Sequence, residues 1–139
     1  MDILNKVDHI GIAVKNLDET IPYYTETLGL TLLKIEEVAS ESVRVAFIDA
    51  GNVKLELLEP LSEQSAIYSF IEKKGEGIHH IAFGVEGIEK RMDELRTKGI
   101  RILNEQPKIG AGGAQVAFLH PKSSYGVLYE LCDKSGIKG

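Results

Sequence analysis

"GIHHIAF", residues 77–83, decides how this chain is read. It sets two histidines at the head of a stretch that alternates in apolar character, as a half-buried strand does. The same pattern is already present near the N-terminus. There "VDHIGIAV" (residues 7–14) puts Ile10, Ile12 and Val14 on one face and His9, Gly11 and Ala13 on the other. "NLDETIPYYTETLGL" follows as a helix, with Asp18 as its expected N-cap, Pro22 in the first turn, Ile21, Tyr24 and Leu28 at helical spacing and Gly29 as terminator. "TLLKIEEV", "SVRVAFIDAG" and "NVKLELLEP" then read as strands, with a turn at Gly51 and Asn52.

A connecting helix is expected from Ser62 to Lys74, with Ile67, Phe70 and Ile71 on one face and Gly75 and Gly77 stopping it. After it the order restarts at the histidine pair. "HHIAFGV" is a strand, "GIEKRMDELRTKG" a helix with Ile88, Met92 and Leu95 on one stripe, and "IRILNEQP", "AQVAFLHP" and "GVLYELCD" read as strands. His80 lies 71 positions after His9, and the "VAF" of residues 45–47 recurs at 116–118 with the same offset. Glu56 and Glu130 lie 74 apart, the difference being taken up by the longer loop at "HPKSSYG". Self-similarity on this scale means two copies of one supersecondary unit. The expected fold is α+β: tandem β-α-β-β-β modules at residues 5–60 and 77–133, joined by a helix within 62–75. They make one domain over residues 1–139, with a strand-lined cleft and the helices outside.

A chain of 139 residues, 43% hydrophobic and 27% charged, is expected to be one soluble globular unit. Neither an apolar run of the roughly 20 residues a spanning helix needs nor a signal-like start is present, so a cytoplasmic protein without a membrane partner is expected. The single cysteine, Cys132, cannot form an internal disulfide, so a metal site would be built on His, Asp or Glu. A net charge of −5, with its sixteen basic residues scattered among acids, argues against a nucleic-acid surface.

Aligning the two copies sets His80 against His9 and His79 against Asp8, so His79 faces the other way and reads as structural. In the last strands, Val53, Leu55 and Leu57 leave Glu56 on the opposite face, and Val127, Tyr129 and Leu131 do the same for Glu130. If helices cover the apolar face, two imidazoles and two carboxylates share the uncovered one, a donor set suited to a divalent metal.

Paired modules with His on the first strand and Glu on the last resemble the vicinal oxygen chelate superfamily over nearly the whole chain. Within it, "VDHIGIAV", "KLELLEPL", "GIHHIAF", "EQPKIGAGG" and "FLHPKSSYGVLYEL" resemble the methylmalonyl-CoA epimerases. The resemblance implies a glyoxalase-like fold, a homodimer, and one divalent ion per site (cobalt, zinc, nickel or manganese) held by His9, Glu56, His80 and Glu130. Some epimerases carry glutamine in place of Glu56, so this site is one negative charge richer. The implied substrate is an acyl-CoA thioester, and the implied reaction interconverts (2R)- and (2S)-methylmalonyl-CoA by proton abstraction at C2 through a metal-stabilised enolate. Glu130 is then both ligand and base.

Where some epimerases place a second glutamate base, this chain aligns Arg44, which is always protonated and cannot act as one. Glu41 and a water stay open for that role. Arg44 is instead a candidate to hold the substrate carboxylate or a phosphate. Lys108 and Gly112 lie in "KIGAGG", which lacks the Gly-Lys-Ser/Thr of a phosphate loop and reads as a flexible loop or a lid. His120 and Lys122 in "HPKSSYG" are candidates for the CoA arm, or simply turn residues around Pro121. The alternatives are a glyoxalase I-like lactoylglutathione lyase with the same metal geometry, and a non-catalytic protein that sequesters a ligand. For an extradiol dioxygenase site Glu56 would be surplus.

Overall fold

The computed structural model describes residues 4–137. Its contacts divide it into two units, one of residues 9–79 and the other running from His80 onward together with the chain's start up to Asp8. Each carries the α+β pattern expected from the repeat.

In the first unit, alternating apolar residues build most of β1 (Val7–Ala13), then β2 (Thr31–Val38), β3 (Val43–Asp49) and β4 (Lys54–Pro60). β2 and β3 pair antiparallel, as do β3 and β4, while β4 pairs parallel with β1, so the first strand of the module lies beside its last. The helix α1 (Leu17–Pro22) covers one face, where Val14, Leu17, Ala46, Ile48 and Leu57 form the core. The N-cap is Asn16, not Asp18: the Asn16 side-chain oxygen accepts the Glu19 N–H at 2.9 Å. Asp18 therefore falls in the first turn, where a carboxylate favours the helix dipole. The helix also does not run straight through to Gly29. Pro22, which has no N–H to continue the ladder, closes the α-helical part, and a π-helical turn follows at Tyr23–Thr27. The second helix, α2 (Ala66–Lys74), starts later than expected. The Ser65 hydroxyl caps it by accepting the Ile67 N–H, and residues from Ser62 to Ser65 form the preceding turn.

The second unit holds most of β5 (Gly77–Gly84), then α3 (Ile88–Thr97), β6 (Lys108–Ile109), β7 (Gln115–Leu119) and β8 (Tyr129–Asp133). β5 pairs parallel with β8, and β8, β7 and β6 pair antiparallel in turn. Val85, Ile88, Met92, Leu95, Ala117, Leu119 and Leu131 pack between α3 and the sheet. The strand expected over 100–107 is not formed, beyond a single bridge from Ile102 to Leu119. Its polar groups go elsewhere. The Arg96 guanidinium donates to the Asn104 and Glu105 carbonyls, both at 2.9 Å, and the Asn104 side chain accepts the Phe118 N–H at 2.8 Å. Pro107 has no N–H to give. The second strand of this module is instead the two-residue β6, within the stretch expected to be loop. Among the described residues no helix is long and apolar enough to cross a membrane.

Candidate metal and active site

In the first unit the parallel register sets Gly11 beside Glu56 and Ile12 beside Leu57. Ile12 and Leu57 enter the helix-side core, so Gly11 and Glu56 stand on the opposite face, and His9, two residues before Gly11, stands there too. His9 is thus the diagonal neighbour of Glu56, with its Nδ1 3.3 Å from Glu56 Oε2. Both are buried, at 3% and 5% exposure. Gly11, directly beside the carboxylate, adds no side chain to crowd it. On the other flank Glu56 pairs with Phe47, and Lys34 Nζ lies 5.0 Å from the Phe47 ring centroid, within cation–π range.

The second unit repeats each of these placements. Glu130 registers against Ala82 on β5 and against Phe118 on β7. His80, two residues before Ala82, has its Nε2 3.9 Å from Glu130 Oε1, and the two are 5% and 6% exposed. The Phe118 ring meets His80 edge-on, centroids 5.5 Å apart, and Lys108 Nζ lies 5.8 Å from the same ring. Ala82, Ala114, Val116 and Cys132 pack on this face. Each unit therefore carries a buried histidine beside a buried glutamate, a phenylalanine opposite that glutamate and a lysine over the phenylalanine ring, although Lys34 is directly opposed to Phe47 in its ladder while Lys108 is opposed to Val116. A carboxylate this deeply buried is costly to keep ionised unless a proton-bearing imidazole or a cation compensates it.

The remaining expected residues sit as follows. His79 stacks edge-on against Phe70 at 4.9 Å; burial, and then the nearby Lys74, push its pKa down to about 4, so it is neutral at pH 7. Arg44 registers against Glu59 on the helix side of the sheet, where it lies 3.9 Å from Glu59 and 3.8 Å from Asp18. It is turned away from Glu56. Glu41 ends a one-turn 3-10 helix, Ala39–Glu41, between β2 and β3. Lys108 is brought to Glu130's face through Phe118. Gly112 takes a left-handed φ of +72° within the turn Ala111–Gly113, a conformation that suits glycine. His120 caps the turn Pro121–Ser124, its Nδ1 accepting the exposed Lys122's N–H at 3.0 Å, and the Ser123 hydroxyl accepts the Arg101 N–H. Sequence reasoning missed Phe47, Phe118 and Lys34. The signal was there: the recurring "VAF", read with strand alternation, puts the phenylalanine of each copy on the face of its glutamate.

This fold and its doubled His–Glu pair define a class. The chain belongs to the Glyoxalase/Bleomycin resistance protein/Dioxygenase superfamily, which its residues 8–118 match. Within that superfamily it is homologous to methylmalonyl-CoA epimerases. It is 42% identical over 131 residues to the ethylmalonyl-CoA/methylmalonyl-CoA epimerase of Cereibacter sphaeroides, covering 93% of this chain and 98% of that one. A solved variant of the Streptomyces coelicolor methylmalonyl-CoA epimerase, in complex with 2-nitronate-propionyl-CoA, superposes with a TM-score of 0.89 at 39% identity, covering 96% and 99% of the two chains. A protein from Bacillus halodurans C-125, BH1468, superposes with a TM-score of 0.93 at 52% identity, covering 96% of this chain and 97% of that one.

Proposed function

We propose that this protein is a metal-dependent epimerase that interconverts the C2 epimers of methylmalonyl-CoA. The observation that carries the reading is the buried His–Glu pair found once in each unit, on the face turned away from the helices. His9, Glu56, His80 and Glu130 form the ligand set. Imidazole nitrogens and carboxylate oxygens fit a divalent ion such as cobalt, zinc, nickel or manganese, and an ion there would compensate the two buried carboxylates. Bound there, the ion supplies Lewis-acid stabilisation of negative charge developing on a thioester oxygen.

The chain's own residues do the rest. C2 of methylmalonyl-CoA lies between a thioester and a carboxylate, and its proton is acidified by both. Glu130 takes that proton with its carboxylate; His80, 3.9 Å away, and the edge of Phe118 fix where the carboxylate stands. Phe118, with Ala82, Ala114, Val116 and Cys132 packed on the same face, excludes water from the charge that forms. Homology to the epimerases, one of which was solved with an acyl-CoA ligand, supports the substrate class. A homodimer is part of the same proposal.

The test is proton NMR of racemic methylmalonyl-CoA in deuterated water with metal-loaded protein. Exchange at C2 well above the spontaneous rate, lost on chelation and in Glu130→Gln, is the expected result. Fully metallated protein that gives no excess exchange overturns the epimerase reading and points to glutathione hemithioacetals as the next substrates to try.

A further inference from the structure

The two modules join their last two strands differently. In the first, β3 passes to β4 through a tight turn closed by Asp49, whose carboxylate accepts the Gly51 N–H at 2.8 Å. The connection from β7 to β8 is three residues longer. Reversing a strand takes only about two to five residues, so the added length has another use. It is also well ordered by its own hydrogen bonds. Pro121–Ser124 form a 3-10 turn, and the Tyr125 and Gly126 N–H groups both donate to the Pro121 carbonyl. The His120 N–H donates to the Arg101 carbonyl at 2.8 Å, and the Ser123 hydroxyl accepts the Arg101 N–H at 3.0 Å, so Arg101 is tied to the turn through both of its backbone groups.

What the turn presents is an aromatic ring. Tyr125 is fully exposed, and its φ of +54° lies in the left-handed region, which glycine occupies freely and a tyrosine only with strain. The ring is thus kept at the tip against the preference of its own backbone. Two cations share the turn: Lys122 and Arg101 are exposed and, among the described residues, stand in no ion pair. All of these residues belong to the unit that contains Glu130. The β7–β8 ladder begins with Leu119 opposite Tyr129, and Phe118 opposite Glu130 is the next pair, so Glu130 stands at the end of the sheet from which this turn springs. At about 3.4 Å per strand residue, the turn starts roughly 7 Å along the strand from Glu130.

We infer that Tyr125 is a stacking platform for the adenine of the acyl-CoA, with Lys122 and Arg101 meeting its phosphates; the inference rests on the epimerase reading above. A tyrosine ring offers a flat face to a base, and ammonium and guanidinium groups complement phosphate oxygens. An exposed ring with two exposed cations on one rigid turn matches a ligand end that is both aromatic and polyanionic. The pantetheine arm holds that end away from the reacting carbon, so its platform belongs beside Glu130's end of the sheet and not at Glu130 itself. The first module, with its shorter turn, has no counterpart to Tyr125, so the nucleotide end is received by the second module alone.

The chain contains no tryptophan, so Tyr125→Trp places a single indole on the turn. Its fluorescence should be quenched on titration with adenosine 3′,5′-bisphosphate and not with inorganic phosphate. In kinetics, metal-loaded wild type should favour methylmalonyl-CoA over methylmalonyl-pantetheine in kcat/KM, and Tyr125→Gly should narrow that preference by about fivefold or more through KM, the scale of one base stacked on one ring. The urea midpoint of Tyr125→Gly should not fall, because glycine relieves the left-handed backbone, and lost binding is then distinct from lost folding. An unchanged preference in Tyr125→Gly overturns the platform, and so does an indole that the bisphosphate leaves unquenched. Wild-type protein that exchanges C2 of neither thioester marks the failure of the epimerase reading, and the indole titration then decides the platform by itself.

Discussion

The Ile88 N–H donates to Asp133 Oδ2 at 3.0 Å, so α3 is capped by the end of its module's last strand and not by the residue before it. That preceding residue, Gly87, takes a left-handed φ of +64° and makes no side-chain cap. The first unit uses the same device, with the Leu17 N–H donating to Glu59 Oε2 at 2.9 Å. Each capping carboxylate stands three positions after the glutamate of the His–Glu pair, hence on the other face of the strand. One strand thus aims one carboxylate at the candidate site and another at a helix N-terminus.

Removing the second of these should be felt as stability. Asp133→Ala is expected to lose about 1–2 kcal/mol, as for a helix cap replaced by alanine, read as a lower urea midpoint at unchanged slope. Metal content should stay at the wild-type value. An unshifted midpoint would show that the cap carries no stability.

The same residue sets a pH dependence. Burial pushes the Asp133 pKa up, but the Ser135 hydroxyl and the N–H groups of Ser135, Ile88 and Gly87 outweigh it and hold the pKa below the ordinary 3.8. The native carboxylate therefore takes a proton less readily than the unfolded one. Its contribution is fully present above the ordinary value and is lost as pH falls through the lower native one. The stability gap between wild type and Asp133→Asn should be constant from about pH 5 to 8 and narrow below about pH 4. A gap that widens on acidification would contradict this sign.

Metal titration separates joint from independent pairs. One divalent ion per chain is expected, with His9→Ala and Glu130→Gln each lowering affinity; two ions per chain would mean that each His–Glu pair binds separately. An ion that binds only the native state should raise stability by about 2.7 kcal/mol when free metal is 100 times its Kd, a gain that chelator removes.

Arg44→Met provides a contrasting case. With Arg44 paired to Glu59 and Asp18 on the helix side, the substitution should cost at most about 1 kcal/mol and leave turnover within about twofold of wild type. A tenfold rise in KM would show that the guanidinium meets substrate after all.

Much of this was legible in the sequence because strand period and duplication reinforce each other. Alternation alone put His9 with Gly11 and Glu56 against Leu55 and Leu57, and the repeat raised the same types at matching places above coincidence. What alternation cannot show is which strands become neighbours. That β1 lies beside β4, in the register that makes His9 and Glu56 a pair, is a long-range fact. Residues 100–107 were misread for a related reason: their composition suits a strand, but Arg96, from the preceding helix, takes two of their carbonyls. Asn16 and Asp18 are both good caps two residues apart, and local chemistry could not choose between them.

The adjacency of first and last strands also has a consequence for biosynthesis. On a ribosome each histidine emerges well before its glutamate has been made, and their strands become neighbours only after the intervening helix and hairpin have been released and the loop between them has closed. The first module, while nascent, therefore carries a lone imidazole, His9, a poor competitor for cellular metal. If the four residues hold one ion, as proposed, loading waits until both modules have been translated, and which ion is taken is then decided by the finished protein.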